Sequence, residues 1–268
     1  MSWDPAQKPD LAWQLAGGLP RGTSGSEQEV GEGAVLLQDE PRIRIVLSRC
    51  SETSRRQVSK IYRTPLALTW RDLFRYPQAQ REFENLQYAF GKGLPVAEPL
   101  GFGLRRIPGR DWYSQLTTAY LKGNTLRDLL ASRTEGRKEL VSGAGRLVAA
   151  MHRAGMVWGT AHSGNLMVDD DGDDSLSAFD VPYALCTGKD MTGSRLAFYD
   201  VWNLEWDFRI QCKLDESLVR LFFEAYGQGV GIGPSTLLSQ VSERRGRKSV
   251  FWERLYIRTV RSFRLRPF

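Results

Sequence analysis

The stretch LVAAMHRAGMVWGTAHSGNLMV, residues 147–168, decides the fold assignment. Its first part is apolar at helical spacing, and its second part is an apolar, glycine-punctuated segment that contains HSGN at 162–165. Asp180 follows Asn165 by fifteen residues, directly after a short apolar run at 176–179 that predicts a strand. Because a strand, a turn and a strand of this length form a hairpin, we expect Asn165 and Asp180 to lie together.

Two charged residues upstream complete a set of four that occurs in one order along the chain. Three strand-like runs lie at 34–38, 43–47 and 58–62, and Lys60 lies on the third. Glu82 lies on a helix predicted over 78–90, in which Phe83, Leu86 and Phe90 follow one another at spacings of three and four. Glu84 is the alternative partner for Lys60, but Glu82 precedes an apolar helix position by four residues and therefore shares its face. We expect an ion pair between Lys60 and Glu82.

These residue types suit phosphoryl transfer. A lysine neutralises nucleotide phosphates, and a helix carboxylate holds that lysine in place. An amide oxygen and a carboxylate are hard oxygen ligands of the kind that magnesium prefers. On its own Lys60 fits an exposed strand edge better, but its position ahead of Glu82, Asn165 and Asp180 favours a nucleotide site.

The order of the predicted elements indicates an α+β protein of two lobes. Residues 33–121 are rich in strands, with further strands predicted at 99–104 and 113–120, and form a predicted N lobe. Residues 122–268 form a predicted helical C lobe, with helices over 126–130 and 140–154 and a mostly helical segment over 196–223. The Gly-, Ser- and Pro-rich segment 1–32 predicts an extension with little fixed structure.

Composition predicts a globular protein of the cytoplasm. Of the 268 residues 41% are hydrophobic and 25% are charged, which allows an ordinary core. The sequence contains no apolar run of about 20 residues, the length needed to cross a bilayer, and its first residues lack the pattern of a secretory signal. Its three cysteines are widely spaced, so neither a disulfide framework nor a zinc ribbon is expected.

The positive charge is concentrated in the C-terminal tail. Residues 243–268 contain nine basic and two acidic residues, a net charge of +7, whereas the whole chain carries +6 and the remainder therefore −1. Arg254, Arg258 and Arg261 share one face of a predicted helix. A solvated surface helix and a contact with an anionic membrane surface fit this pattern equally well. Nucleic acid is not expected as a partner, since no nucleic-acid-binding motif accompanies the tail.

Taken together, four stretches resemble the bacterial lipopolysaccharide core kinases, the Kdo and heptose kinase family, which has a protein-kinase-like fold. They are KIYRTP at 60–65, REFENLQYAFGKGLPVAEPLGFG at 81–103, the segment 147–168, and FYDVWNLEWDF at 198–208. The resemblance implies ATP and Mg²⁺ as cofactors, held by Lys60, Glu82, Asn165 and Asp180, with Asn165 and Asp180 as the metal ligands. It also implies a lipopolysaccharide core, or a similar glycolipid, as acceptor at the inner face of the cytoplasmic membrane, and a bracing role for Asp200.

One departure from the family pattern concerns the catalytic base. The family's loop has the form H-x-D-L-H-x-G-N, whereas this chain has Thr160 at the aspartate position and Trp158 at the first histidine position. The hydroxyl of Thr160 stays protonated near neutral pH and cannot serve as a base. His162 is retained, but it lies two residues further along an extended loop and is expected to point elsewhere.

Two functions from different classes therefore remain open. The first is an ATP-dependent kinase, a phosphotransferase, that phosphorylates Kdo or heptose with an activity impaired by Thr160, since a general base contributes about 10²–10⁴-fold. The second is a catalytically degenerate pseudokinase that binds nucleotide and acts as a regulator or scaffold of lipopolysaccharide assembly. Asp200 lies only twenty positions after Asp180, which favours a small acceptor over a protein substrate.

Overall fold

The computed structural model describes residues 34–50, 53–64, 77–106, 112–170 and 174–245. The predicted N-terminal extension and the predicted basic helix with Arg254, Arg258 and Arg261 lie outside these residues. By its internal contacts the chain divides into two compact units. The first unit contains the described residues up to Glu84 together with Glu98–Tyr120, and the second contains Asn85–Ala97 and the described residues from Leu121 onward. The domain boundaries given from the sequence stay a prediction.

A five-stranded antiparallel sheet forms most of the first unit, in the order β1-β2-β3-β5-β4. The central position of β3 places Lys60 opposite Ile45 on one neighbouring strand and Leu116 on the other. Lys60 is buried, with 6% of its surface exposed. The strands are β1 (Val35–Glu40), β2 (Ile43–Arg49), β3 (Arg56–Thr64), β4 (Pro99–Arg106) and β5 (Trp112–Ala119).

Helix α1 (Gln78–Gly91) carries the predicted acidic residue Glu82. Phe83 and Leu86 are buried as the apolar spacing predicted, and the Phe83 ring lies 5.2 Å from that of Phe102 within the first unit. Phe90 was placed on the same face from the sequence, but half of it is exposed. Ala89 is buried in the same turn, whereas Phe90 lies one residue before the end of the helix at Gly91.

The second unit is mostly helical, with short strands that shape the loops between helices. It contains β6 (Asn124–Thr125), α2 (Leu126–Ser132), α3 (Arg137–Arg153), β7 (Met156–Val157), a 3₁₀ turn (Ser163–Asn165), β8 (Leu166–Val168), β9 (Leu176–Ala178), β10 (Leu185–Cys186), α4 (Arg195–Ile210), α5 (Glu216–Val230) and α6 (Pro234–Arg245). The expected strand-rich first part and helix-rich second part are confirmed.

The segment predicted as mostly helical over 196–223 contains two helices. α4 ends at Ile210, and α5 begins after Asp215, whose carboxylate accepts a hydrogen bond from the Leu218 N–H at 3.0 Å. An aspartate at this position satisfies a backbone N–H that would otherwise have no partner in the first turn. A new helix therefore starts here rather than a continuation of α4.

Helices α3 and α5 pack closely against each other in the second unit. A Cβ atom at Gly145 would lie 2.6 Å from the Phe222 carbonyl oxygen, so only glycine permits this approach. His152 of α3 and Tyr226 of α5 are fully buried and hydrogen-bonded to each other at 2.9 Å. No helix within the described ranges is long and apolar enough to span a membrane.

Candidate functional site

Lys60 and Glu82 form a buried ion pair in the first unit. Lys60 Nζ donates to Glu82 Oε1 at 2.7 Å, and the two side chains are 7% and 0% exposed. Glu84, the alternative considered above, is exposed and accepts from Gln80 Nε2 at 3.0 Å. Glu82 and not Glu84 is therefore on the helical face that contacts Lys60, as the spacing predicted.

Tyr62 is a further member of this cluster that sequence reasoning missed. It lies two residues after Lys60 on β3, and its hydroxyl donates to Glu82 Oε2 at 2.5 Å. Each carboxylate oxygen of Glu82 thus accepts a hydrogen bond from β3, which fixes the carboxylate in one orientation. The alternation of a strand could have revealed the shared face of residues 60 and 62.

In the second unit, Asp200 holds the loop that follows β7. Its carboxylate accepts hydrogen bonds from the backbone N–H groups of Trp158 and Gly159, both at 2.5 Å, and lies 3.2 Å from His152 Nε2. Gly159 has a φ of 77°, a left-handed conformation that glycine adopts without strain. This conformation turns two consecutive N–H groups toward one buried carboxylate, which is the bracing role implied by the resemblance.

The other end of the same loop is anchored by Asp207. This buried carboxylate accepts from both the backbone N–H and the hydroxyl of Ser163, and from Arg127 Nη2 at 2.6 Å. The loop is therefore held at both ends by acidic residues of α4. Sequence reasoning missed Asp207, although its spacing of seven from Asp200 places both on one face of a helix.

The hairpin of β8 and β9 brings Asn165 and Asp180 together. Leu166 pairs with Ala178 at the start of the ladder, so the residues just outside it converge. Asn165 Nδ2 lies 3.3 Å from Asp180 Oδ2 and also donates to the Thr160 carbonyl at 3.2 Å. Three of the predicted site residues, Thr160, Asn165 and Asp180, are thus in contact in the second unit.

This donor set fits a magnesium ion in type. Because Asn165 uses its amide nitrogen for the Thr160 carbonyl, the amide oxygen is the atom it offers to a cation, alongside the Asp180 carboxylate. Mg²⁺ commonly binds one or two protein oxygen ligands and completes its shell with water and phosphate oxygens. Two ligands of this kind are therefore sufficient.

Trp158 and Thr160 replace the histidine and aspartate of the family pattern, and both contact Asp180. The indole Nε1–H of Trp158 donates to the Asp180 carbonyl at 2.7 Å, and the hydroxyl of Thr160 donates to the same oxygen at 3.4 Å. Thr160 therefore lies at the site, but its proton is directed toward the backbone and its oxygen has no basic function.

His162 lies in the same loop with its Nδ1 atom buried and without a hydrogen-bond partner among the described residues. Burial lowers the pKa of His162 below its ordinary value, and nearby Arg127 lowers it further, while Asp207 and Asp180 oppose this shift. The imidazole is thus expected to be neutral at pH 7.

Comparisons with known proteins identify the fold and the family of this chain. A solved structure described as WaaP in complex with acyl carrier protein is similar to this chain, with a TM-score of 0.57 and 18% identity over 85% of this chain and 89% of that one. At this identity the likeness establishes the fold alone. It confirms the predicted kinase-like fold, an N-terminal antiparallel five-stranded sheet followed by a mostly helical C-terminal part.

No curated protein sequence matches the chain. In all, 1851 chains of solved structures match, so the fold by itself does not specify an activity. The sequence family described as lipopolysaccharide kinase (Kdo/WaaP) matches residues 39–180, which include Lys60, Glu82, Asn165 and Asp180. Because this match spans more than half of the 268 residues, the chain belongs to the lipopolysaccharide kinase (Kdo/WaaP) family, a family of phosphotransferases.

Proposed function

We propose that this chain binds ATP with magnesium through Lys60, Asn165 and Asp180 and phosphorylates an inner-core sugar, Kdo or heptose, of lipopolysaccharide at a reduced rate. The observation that carries this proposal is the contact between the Asn165 amide and the Asp180 carboxylate at 3.3 Å. This contact is made by Asn165 Nδ2 and places the two side chains next to each other. The amide oxygen of Asn165 and the carboxylate of Asp180 are donors of the type that holds magnesium in phosphoryl-transfer enzymes.

In the proposed reaction the acceptor hydroxyl attacks the γ-phosphorus of ATP, the bond from that phosphorus to the β-phosphate oxygen breaks, and the hydroxyl proton leaves to solvent. Magnesium, when bound, neutralises charge on the phosphates. Lys60, held by Glu82 and Tyr62, is proposed to neutralise further phosphate charge. The reaction retains part of its rate without a base, because phosphoryl transfer is accelerated mainly by positioning and electrostatic stabilisation.

Thr160 supports the reduced rate. Its hydroxyl donates to the Asp180 carbonyl and cannot take the acceptor's proton. We expect Thr160→Asp to increase ATP consumption on deacylated core oligosaccharide, by up to about 10²–10⁴-fold if proton transfer limits turnover. Asp180→Ala in the same background is the control and is expected to abolish turnover. Turnover that stays unchanged in Thr160→Asp would contradict this assignment.

A second candidate function is a nucleotide-binding regulator or scaffold of lipopolysaccharide assembly. The engagement of Thr160 with the backbone favours it, since a loop without a base can still hold a nucleotide. Mg·ATP that raises the melting temperature of the wild-type chain, without ATP consumption in either wild type or Thr160→Asp, would select this second function. In both cases Asp180→Ala is expected to abolish the thermal shift.

We further propose a glycolipid acceptor and not a protein substrate, because the segment between Asp180 and α4 is short and contains only the strand β10 and turns.

The basic tail is proposed to bind anionic membranes at the inner face of the cytoplasmic membrane. This proposal is supported if the full chain binds anionic liposomes, if the binding weakens with salt, and if it disappears when residues 246–268 are removed.

Since the similar solved structure is of WaaP in complex with acyl carrier protein, acyl carrier protein is also proposed as a partner, to be tested in a pull-down assay.

A further inference from the structure

The carbonyl oxygen of Asp180 accepts two side-chain hydrogen bonds from the candidate loop. The stronger comes from Trp158 Nε1 at 2.7 Å and the weaker from Thr160 Oγ1 at 3.4 Å. Trp158 is fully buried, so its N–H has no water to bond and a buried indole N–H normally finds a partner in the protein. The two residues that depart from the family pattern thus act on one backbone atom of a proposed metal ligand.

Trp158 is itself held firmly. Its backbone N–H donates to Asp200 at 2.5 Å, and the preceding strand β7 pairs with β10. The indole therefore projects from a backbone that is fixed by a buried carboxylate and by a strand pair. The indole N–H is therefore a donor in a fixed position opposite the Asp180 carbonyl.

The backbone on either side of Asp180 is also fixed. Ala178 is paired with Leu166 and, through an isolated bridge, with Val96, and the Val181 carbonyl accepts from Asn85 Nδ2 at 2.8 Å. Between these anchors, the peptide that follows Asp180 is oriented by the bond from Trp158. The direction of that peptide sets where the Asp180 carboxylate lies relative to Asn165.

We propose that Trp158 is a positioning residue for the magnesium site, whose indole N–H orients the Asp180 peptide so that the carboxylate stays beside Asn165 before any ligand binds. The inference rests on the proposed binding of Mg·ATP. A site that is already arranged loses less ordering free energy on binding, so its apparent affinity is higher. Through Trp158 and Thr160 this loop therefore orients the metal ligand Asp180, although the loop itself has no catalytic base.

A variant that removes the indole donor tests the proposal. We would titrate a non-hydrolysable ATP analogue into the full chain by calorimetry, with saturating Mg²⁺ and with a chelator, for wild type, Trp158→Phe and Tyr88→Phe. Tyr88→Phe is the matched control, because it also removes a side-chain bond to a backbone carbonyl, that of Ala154, away from Asp180. Each variant loses one hydrogen bond from a side chain to a backbone carbonyl, but only the bond lost in Trp158→Phe is at the proposed metal site.

Trp158→Phe is expected to weaken binding in the presence of Mg²⁺ on the order of tenfold, the value of one buried hydrogen bond. Binding in chelator is expected to be unchanged, and Tyr88→Phe is expected to match wild type in both conditions. Equal weakening with and without Mg²⁺, or none in either, would overturn the inference. A wild-type chain that binds no nucleotide would overturn the proposed function as well, and so the two failures are distinguishable.

Trp158→His provides a second variant, because it keeps an N–H donor in a smaller ring. We expect its Mg²⁺-dependent affinity to lie closer to that of wild type than Trp158→Phe does. Equal losses in the two variants would show that ring packing carries the effect and would overturn the inference.

Should Trp158→Phe fail to fold, the indole N–H resonance of Trp158 in ¹⁵N-tryptophan-labelled wild type provides the test. This resonance is assigned by its disappearance in Trp158→His. It is expected to shift when Mg²⁺ is added to the analogue complex, and a resonance that does not move would count against the proposal.

Discussion

Neutralising Glu82 tests how strongly the first unit depends on the Lys60 ion pair. Glu82→Gln keeps the size of the side chain and an oxygen that can accept from Tyr62, but it removes the negative charge that faces Lys60 at 2.7 Å. Both partners are nearly inaccessible to solvent. Removing one charge of a buried pair costs about 3–5 kcal/mol, because the other charge stays in a poorly solvated position.

The control is an ion pair of the same sheet that is exposed. Arg44 Nη2 lies 2.9 Å from Asp39 Oδ2, with side chains 21% and 46% exposed. Asp39→Asn is therefore expected to cost only about 0–1 kcal/mol. The comparison holds chemistry and distance nearly constant and changes burial, which is the variable that the reasoning depends on.

The assay is urea-induced and thermal unfolding without nucleotide, followed by circular dichroism, for wild type, Glu82→Gln, Lys60→Met, their combination and Asp39→Asn. For a chain of this size, 3–5 kcal/mol corresponds to a loss of roughly 6–20 °C in melting temperature. The double variant is expected to be more stable than Glu82→Gln alone, since Met in place of Lys60 removes the uncompensated charge. The reasoning is refuted if Glu82→Gln costs no more than Asp39→Asn, or if the double variant is the least stable of the set.

Two further predictions concern the loop. Asp200→Asn weakens two charge-assisted hydrogen bonds from the N–H groups of Trp158 and Gly159, each of which contributes about 1.5–3 kcal/mol. We therefore expect thermal unfolding to show a loss of roughly 3 kcal/mol or more in the free energy of unfolding. A loss below about 1 kcal/mol would count against the bracing role. His162 has a lowered pKa in the folded chain, so the unfolded chain binds its proton first as pH falls, and stability present above about pH 6.5 is lost below it. His162→Asn is therefore expected to flatten the fall in melting temperature between about pH 7 and 5, and parallel curves for variant and wild type would exclude this contribution.

Much of the fold could be predicted because its strands and helices follow local patterns. Alternating apolar residues gave the strands near Ile45 and Lys60, and the spacing of Phe83 and Leu86 gave α1 with Glu82 on its inner face. Phe90 shares that face to within about 20°, but it lies in the last turn of α1, and its exposure was not predicted. The break before α5 was missed although Asp215 is a typical helix-capping residue, since apolar periodicity continues on both sides of it.

The residue types of the site were predictable, and so were two of its contacts, that of Lys60 with Glu82 and that of Asn165 with Asp180. Chemistry and spacing identified Asn165 and Asp180, and the resemblance to the family's loop pattern identified Thr160 at the position of the base. The bond from Trp158 to the Asp180 carbonyl was not predictable, because it joins residues 22 positions apart through a side chain whose direction is set by tertiary packing. Tyr62 was missed for a related reason, since the acceptor for its hydroxyl lies on another element.

In this loop, the residues that hold the backbone in place are separate from position 160, where the family pattern has the catalytic base. Its conformation depends on Asp200 at one end and Asp207 at the other, and neither carboxylate contacts the hydroxyl of Thr160. Replacing the base therefore removes no support from the loop, and Asn165 keeps its bond to the Thr160 carbonyl whatever side chain stands there. Proton transfer and cation binding should accordingly respond to different substitutions. Changes at position 160 are expected to alter turnover more than nucleotide affinity, whereas changes at Asp200 should alter both, because the loop that it holds carries both Thr160 and Asn165.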